Sequence, residues 1–295
     1  MKILIDNSGY ELKNSGDVSM LVVAVNRLYA LFDNPEITVV TVNNEKLAEL
    51  FPKAHPIGVV GRLQWNSEWN LFGGLHKLLP VFIKPTLKQL EDTIKFNFYK
   101  LSKKRVCSKM RAKSKNIDRI QAYLSAIESA DYVIATGGGF LTDAFSEHAY
   151  RIMTTLRLAQ KLGKKTAMFG QGLGPITDKR TIKVAKKVFP HLGLIGLREG
   201  VYSANIAREL GAPSSRVFVS GDDAIEMSIA KKPEQLGNAI GINMRVASYS
   251  DVNEQLLNNV QHVVHSLSEV YQAQLIPIPI SGHDEDSDFK TISKI

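Results

Sequence analysis

Residues 130–145, ADYVIATGGGFLTDAF, and residues 164–175, KKTAMFGQGLGP, flank a helical run and decide the fold. Residues 132–135 read as a strand, 136–140 as a glycine loop, 150–162 as a helix, 166–169 as a second strand and 170–175 as a second glycine loop. The helix places Ile152, Leu156, Ala159 and Leu162 on one apolar stripe and leaves Arg151, Arg157 and Lys161 to water. This is a βαβ unit, so both loops are expected at the carboxyl edge of a parallel sheet, where ligands of such folds bind.

Outward from that unit the pattern repeats. Upstream, 1–6 reads as a first strand, and Lys13-Asn14-Ser15-Gly16-Asp17 leads into a helix over 18–32. Asp17 is expected to cap that helix, with its free N–H groups facing the sheet's edge. Strands follow at 37–42 and 57–60, with a short helix at 44–51. Downstream, helices are expected at 181–188 and 203–210 and strands at 194–197 and 217–219. These strands end at Arg198-Glu199-Gly200 and at Ser220-Gly221-Asp222-Asp223-Ala224. A further strand from Ala239, a helix over 252–271 and a strand over 274–278 read as the start of a second Rossmann-like domain, incomplete, after a linker at 233–237. The expected organisation is thus a first domain over 1–235 and a second over 237–295.

Charge breaks the regularity. The chain of 295 residues carries a net charge of +8. Thirteen Lys or Arg against three carboxylates between Lys77 and Arg119 give that segment ten net positive charges and leave the rest slightly acidic. Cations gathered in one insert, about 62–116, argue against a nucleic-acid-binding face. With Trp65, Trp69, Gly73-Gly74, the apolar Leu78-Leu79-Pro80-Val81-Phe82-Ile83 and then Phe96, Phe98 and Tyr99, the insert fits either a helical hairpin packed on the domain or a peripheral contact with an anionic membrane. A single cysteine, Cys107, excludes an internal disulfide, and no apolar run is long enough to span a bilayer. A cytoplasmic protein, or one peripheral at the inner face of the membrane, is expected.

Six motifs, in order, resemble the polysaccharide pyruvyl transferase family: Asn14-Ser15-Gly16-Asp17, Gly137-Gly138-Gly139-Phe140-Leu141-Thr142-Asp143, Gly170-Gln171-Gly172-Leu173-Gly174-Pro175, Leu197-Arg198-Glu199-Gly200, Gly221-Asp222-Asp223-Ala224 and Gly241-Ile242-Asn243-Met244-Arg245. The resemblance implies two Rossmann-like halves in a glycosyltransferase-B-like arrangement. It implies transfer of a pyruvyl group from phosphoenolpyruvate to two hydroxyls of a sugar, on a cell-surface polysaccharide or its lipid-linked oligosaccharide precursor, forming a ketal. No cofactor is implied. Family members continue through the rest of the second domain, including a histidine-bearing segment.

A donor with a phosphate and a carboxylate requires fixed guanidinium groups and close backbone. Arg198 is the first candidate for the anion contact, with an ion pair to Asp222 as its structural alternative. Gly16, Gly137, Gly138, Gly139, Gln171, Gly172 and Gly174 are candidates for close approach, tight βα turns being the alternative. Asp222, Asn243 and Arg245 complete the substrate-binding set. Proton transfer to the methylene carbon and from the sugar hydroxyl needs an acid and a base. Asp17, Asp143, Asp222, Asp223, His283 and Asp286 are the candidates, with Asp17, Asp143 and His283 put forward as catalytic. Two other classes remain: an inactive or incomplete relative that binds a glycan, and a nucleotide-sugar glycosyltransferase of the same architecture. A NAD enzyme fits less well, because Gly137-Gly138-Gly139 lacks the G-x-G-x-x-G spacing.

Overall fold

Short apolar runs that end in glycine or polar turns build a parallel sheet. The computed structural model describes residues 1–73, 80, 83–229, 231–235, 237–246, 252–282 and 287–293. Among them, β1 (Lys2–Asp6), β2 (Glu36–Val40), β3 (His55–Ile57), β4 (Tyr132–Ala135), β5 (Gly138–Leu141), β6 (Lys165–Leu173), β7 (Leu194–Leu197) and β8 (Val217–Val219) form one sheet of order β3-β2-β1-β4-β6-β7-β8, with β5 also on β6. Every pairing is parallel. The order reverses between β1 and β4, which opens a crevice at their carboxyl ends.

Strand alternation feeds a core on each face. Ile3, Ile5, Ile37, Val39 and Ile134 pack with Leu21, Val25 and Leu28 of the Ser15–Leu31 helix and with Leu47 of Asn44–Leu50. Leu4, Val40, Val133 and Ala135 face the opposite way, onto the Asp118–Ser129 and Ser146–Lys161 helices. The fold is therefore α/β, Rossmann-like and doubly wound.

Several local expectations shift. The first helix begins at Ser15 and is capped by Asn14, whose side chain accepts from Gly16 and Asp17 N–H, so Asp17 lies inside the first turn. Strand β6 continues through Gly170-Gln171-Gly172 where a loop was expected, and residues 138–141 of the first glycine loop form β5 beside it. Gly170, at φ +48°, lets β6 shift register against β7 between Met168 and Gln171 and still keep pairing. The strand expected over 57–60 lies earlier, at His55–Ile57, and Val60–Leu63 is helical, running on into a π-helical turn, Gln64–Glu68.

The insert belongs to the core. Trp65, Tyr99, Val106 and Met110 are buried with the helix-side cluster, and the helices Lys84–Asn97 and Tyr99–Ala112 pack on it. Lys95, 1 % exposed, donates to the Trp65 and Trp69 carbonyls at 2.6 and 3.1 Å. Burial, reinforced by Lys88, pushes its pKa down to about 8. Gly74 and the apolar residues Leu78, Leu79, Val81 and Phe82 lie outside the described residues. No helix among the described residues is long and apolar enough to cross a membrane.

A second parallel pair, β9 (Ala239–Ile242) and β10 (Gln274–Pro277), is joined by the helix Glu254–Tyr271. Leu257 is the buried residue of that helix, while Leu256, Val263, Leu267 and Val270 of its apolar face are exposed. The segment after β10 meets the start of the first helix through an isolated antiparallel bridge, Asn14 to Ser281, with Ser15 N–H donating to Ile280 O at 2.8 Å and Gly282 N–H to Lys13 O at 3.0 Å.

Candidate active site

The crevice at the sheet's switch point is built from four turns. After β1, Ser8 donates its N–H to Thr136 Oγ1 at 3.3 Å and its hydroxyl to Asp17 Oδ1 at 2.7 Å, which ties the first helix to the loop after β4. After β4, Gly137 runs so close to its neighbours that an added Cβ would stand 2.9 Å from Met20 Sδ and 3.0 Å from the Gly170 carbonyl oxygen. Gly138 is equally constrained, by Ser8 and Phe140 at 2.8 Å each. Gly139 differs: it is exposed, and nothing lies within 4 Å of the place a Cβ would take. Gly172 also has room, its nearest neighbours being the Gly138 carbonyl at 3.7 Å and Arg198 Cδ at 3.9 Å.

Arg198 leaves the end of β7 and turns into this cluster. Its Nε donates to Gly170 O at 3.1 Å and lies 3.3 Å from Asp222 Oδ2, and Nη2 lies 2.7 Å from Met20 Sδ. The side chain remains 28 % exposed. The turn that delivers it is fixed by Glu199, whose carboxylate accepts the N–H groups of Val201, Tyr202 and Ser203 at 2.7, 2.8 and 2.5 Å and so starts the Tyr202–Glu209 helix. The ion pair with Asp222, the structural alternative, is therefore present.

Asp223 closes the floor. It is 5 % exposed, its Oδ2 would lie 2.4 Å from a Cβ on Gly170 and 3.4 Å from one on Gly137, and its Oδ1 accepts from Arg27 Nη1 at 3.2 Å. Burial raises its pKa, against the pull of Arg27 and Arg198 and with the push of Asp222. This carboxyl, its pKa raised by burial, stands against the bare backbone of Gly170 and pairs with Arg27.

Other expected residues are engaged elsewhere. The first helix has no free N–H to offer: Asn14 takes those of Gly16, Asp17 and Val18, and Ile280 O takes that of Ser15. The Gly16 N–H is thus taken up by the cap, the alternative to a ligand contact at that helix start. Gln171 is fully buried, and its amide donates to the Thr136 and Phe169 carbonyls, the latter at 3.2 Å, bracing the loop from within. Asp143 accepts Thr177 N–H at 2.7 and 2.9 Å and Asp178 N–H at 3.1 Å. Those backbone bonds, Thr177's foremost, hold its pKa below the ordinary carboxylate value, the electrostatics of a brace between two loops. Gly174, at φ +87°, packs against Ile206, whose Cδ1 would stand 2.2 Å from an added Cβ. His283 and Asp286 lie outside the described residues.

Asn243 and Arg245 converge on a residue that the sequence left unmarked, Asp288. Its carboxylate, in a residue 1 % exposed, accepts Asn243 Nδ2 at 2.9 Å and the N–H groups of Ile280 and Ser281 at 2.7 and 2.9 Å, with Arg245 Nε 3.8 Å away. Burial alone would raise its pKa, and the backbone donors Ser281 and Ile280 outweigh that and lower it. Asp288 thereby shapes the 280–282 segment that meets Asn14.

A second cluster was also invisible to spacing. Asp6, at the end of β1, is 0 % exposed and Arg62 1 %. Arg62 Nη1 donates to both Asp6 oxygens at 3.0 Å, Tyr10 Oη donates to Asp6 at 3.0 Å, and the guanidinium lies 4.7 Å from the Tyr10 ring centroid. His148 stands between Tyr10 and Phe140, ring centroids 4.9 and 5.1 Å away, and its Nε2 is buried without a hydrogen-bond partner among the described residues. The apolar strand KILID, ending on a charge, was the one available signal.

The family model for polysaccharide pyruvyl transferase matches residues 14–295 of this sequence. The chain belongs to the polysaccharide pyruvyl transferase family. The family is one of transferases acting on polysaccharides, and the carboxyl-edge crevice of this pyruvyl transferase family member is where a parallel α/β sheet presents its reactive groups. Neither a curated protein nor a solved structure matches it.

Proposed function

We propose that the crevice takes phosphoenolpyruvate as donor and transfers its pyruvyl group to two hydroxyls of a saccharide acceptor. The observation that supports this reading is the position of Arg198, a partly exposed side chain among glycines of the switch-point crevice, near a buried carboxyl with a raised pKa. Arg198 holds the anionic end of the donor, and Gly172 and Gly139 leave room for it. The Asp223 carboxyl gives its proton to the methylene carbon, and the carbon bearing the phosphate becomes cationic. One sugar hydroxyl adds there and returns its proton to Asp223. The bond to phosphate breaks, the second hydroxyl closes the ketal, and its proton leaves with the phosphate. Asp17 lies on the acceptor side, linked to the glycine loop through Ser8. Asn243 and Arg245 order the second sheet's edge, where a long acceptor enters. An acceptor carried on a lipid goes with a location at the inner face of the membrane.

Equilibrium binding tests the reading. Phosphoenolpyruvate is expected to bind the wild type and to bind Arg198→Ala at least tenfold more weakly. A nucleotide-sugar that binds where phosphoenolpyruvate does not would overturn it in favour of glycosyl transfer.

A further inference from the structure

A cavity lies away from the crevice, among the helices. It measures about 540 Å³ and runs between the insert helix Lys84–Asn97 and the helices Ser146–Lys161 and Lys179–Val188. None of the crevice residues lines it. Helical spacing builds its walls: Lys84 and Lys88 lie one turn apart on the insert helix, and Arg180, Lys183 and Lys187 recur on one face of the last.

Six cationic side chains line the groove, Lys84, Lys88, Arg157, Arg180, Lys183 and Lys187, against the two carboxylates Asp92 and Glu147. Both carboxylates are already committed. Asp92 pairs with Lys88 at 2.5 Å, and Glu147 with Arg180 at 2.6 Å. Arg180 Nε also lies 3.4 Å from Asp178 Oδ1, and Tyr150 Oη donates to Asp92 at 2.5 Å, while Lys183 Nζ donates to Gln89 Oε1 at 2.6 Å and Arg157 Nη1 to Lys187 O at 3.0 Å. Four positive charges are thus left without a carboxylate partner among the described residues. Burial, followed by the nearness of Arg157, Lys183 and Lys161, lowers the pKa of Lys187, as crowded like charges do. Between these walls the floor is apolar and aromatic, formed by Phe96, Tyr150 and Val184.

We propose that this groove binds a ligand bearing two or more phosphate charges next to an apolar or planar body. Separate cations on two helices suit oxygens spread over a diphosphate, and the Phe96–Tyr150 floor receives what the phosphate is attached to. A single small anion would leave most of the excess charge unmatched. The site is independent of the donor crevice and supplies a second anchoring point on the far side of the Ser146–Lys161 helix.

Isothermal titration of the whole protein with inorganic diphosphate, and flotation with phosphatidylcholine vesicles with and without phosphatidic acid, test the proposal. The variants are Lys183→Glu/Lys187→Glu, both exposed positions, and Lys187→Arg. Wild type and Lys187→Arg are expected to bind diphosphate with an affinity that falls as salt is added. The double glutamate variant should lose at least tenfold in affinity while its thermal midpoint and its binding of phosphoenolpyruvate stay unchanged. Charge-dependent flotation that the double variant abolishes assigns the phosphate to a lipid. Diphosphate binding without flotation assigns it to a soluble ligand. Binding of neither probe, or equal binding by the double variant, overturns the proposal.

Discussion

Arg198 Nε lies 3.3 Å from Asp222 Oδ2, with both side chains about one-third exposed. An ion pair this open contributes about 0–1 kcal/mol to stability, so its interest lies in competition. A substrate anion has to displace or share the carboxylate. Asp222→Asn is expected to leave the thermal midpoint within a few degrees and to bind phosphoenolpyruvate at least as tightly as wild type. Weaker binding by that variant would assign Asp222 to the substrate instead.

Asp223 supplies a pH signature. Because burial raises its pKa, the acid form persists to higher pH than for an exposed aspartate, and donation to the methylene carbon fails as pH climbs through that raised value. Turnover should therefore decline on the alkaline side with a single-proton limb. Asp223→Asn should remove the limb and lower kcat about 100-fold or more. An unchanged profile in the variant excludes Asp223 as the donor.

The Asp6–Arg62 pair is fully buried, with both oxygens 3.0 Å from the same nitrogen. Removing one partner strands a charge in the core. Arg62→Met is expected to cost about 3–5 kcal/mol in denaturant unfolding. Removing Asp6 as well, by Asp6→Asn in the same chain, should restore part of that loss.

His148 predicts acid sensitivity. Burial depresses its pKa from 6.5 to about 4, so between those values the unfolded chain binds a proton that the folded protein refuses. Its contribution to stability is complete above pH 6.5 and is lost as pH falls toward about 4. Replacing it with Phe, a ring of similar shape among Tyr10 and Phe140, should flatten that part of the stability curve measured by thermal unfolding. A wild-type midpoint that changes with pH no more than the variant's contradicts this.

Two glycines separate substrate space from packing. Gly139→Ala meets no atom within 4 Å and should fold like wild type, with any loss confined to turnover. At Gly170, with φ +48° and Asp223 Oδ2 2.4 Å from the new Cβ, alanine is strained whatever the ligand and should cost about 1–3 kcal/mol. Circular dichroism melts compared with phosphate release from phosphoenolpyruvate would separate the two effects.

Much of the scaffold was legible because strands such as Tyr132–Ala135, Leu194–Leu197 and Val217–Val219 are apolar runs cut off by glycine or polar residues. That same rule misread 170–173: glycine there bulges a strand instead of ending it, and the sheet keeps its ladder across the bulge. Helix starts moved toward Asn14 and Asn253, since an asparagine before the first turn caps its N–H groups, two for the Asn14 side chain and one for that of Asn253. Within the crevice, Arg198 and Asp222 could be paired from their places at adjacent strand ends. Asp6 with Arg62 could not, because 56 residues separate them and neither stands in a motif. Asp288 was hidden for the same reason: its partners sit on other segments, and only folding brings them to it.

The bridge from Asn14 to Ser281 has a mechanical meaning. Asn14 caps the first helix with its side chain while its neighbours Lys13 and Ser15 hold the 280–282 segment that follows β10, so pulling that segment away strains the start of the helix under the crevice. Any rotation of β9 and β10 against the first sheet is thus resisted at this corner, where the cap of the first helix and the bridge share a residue.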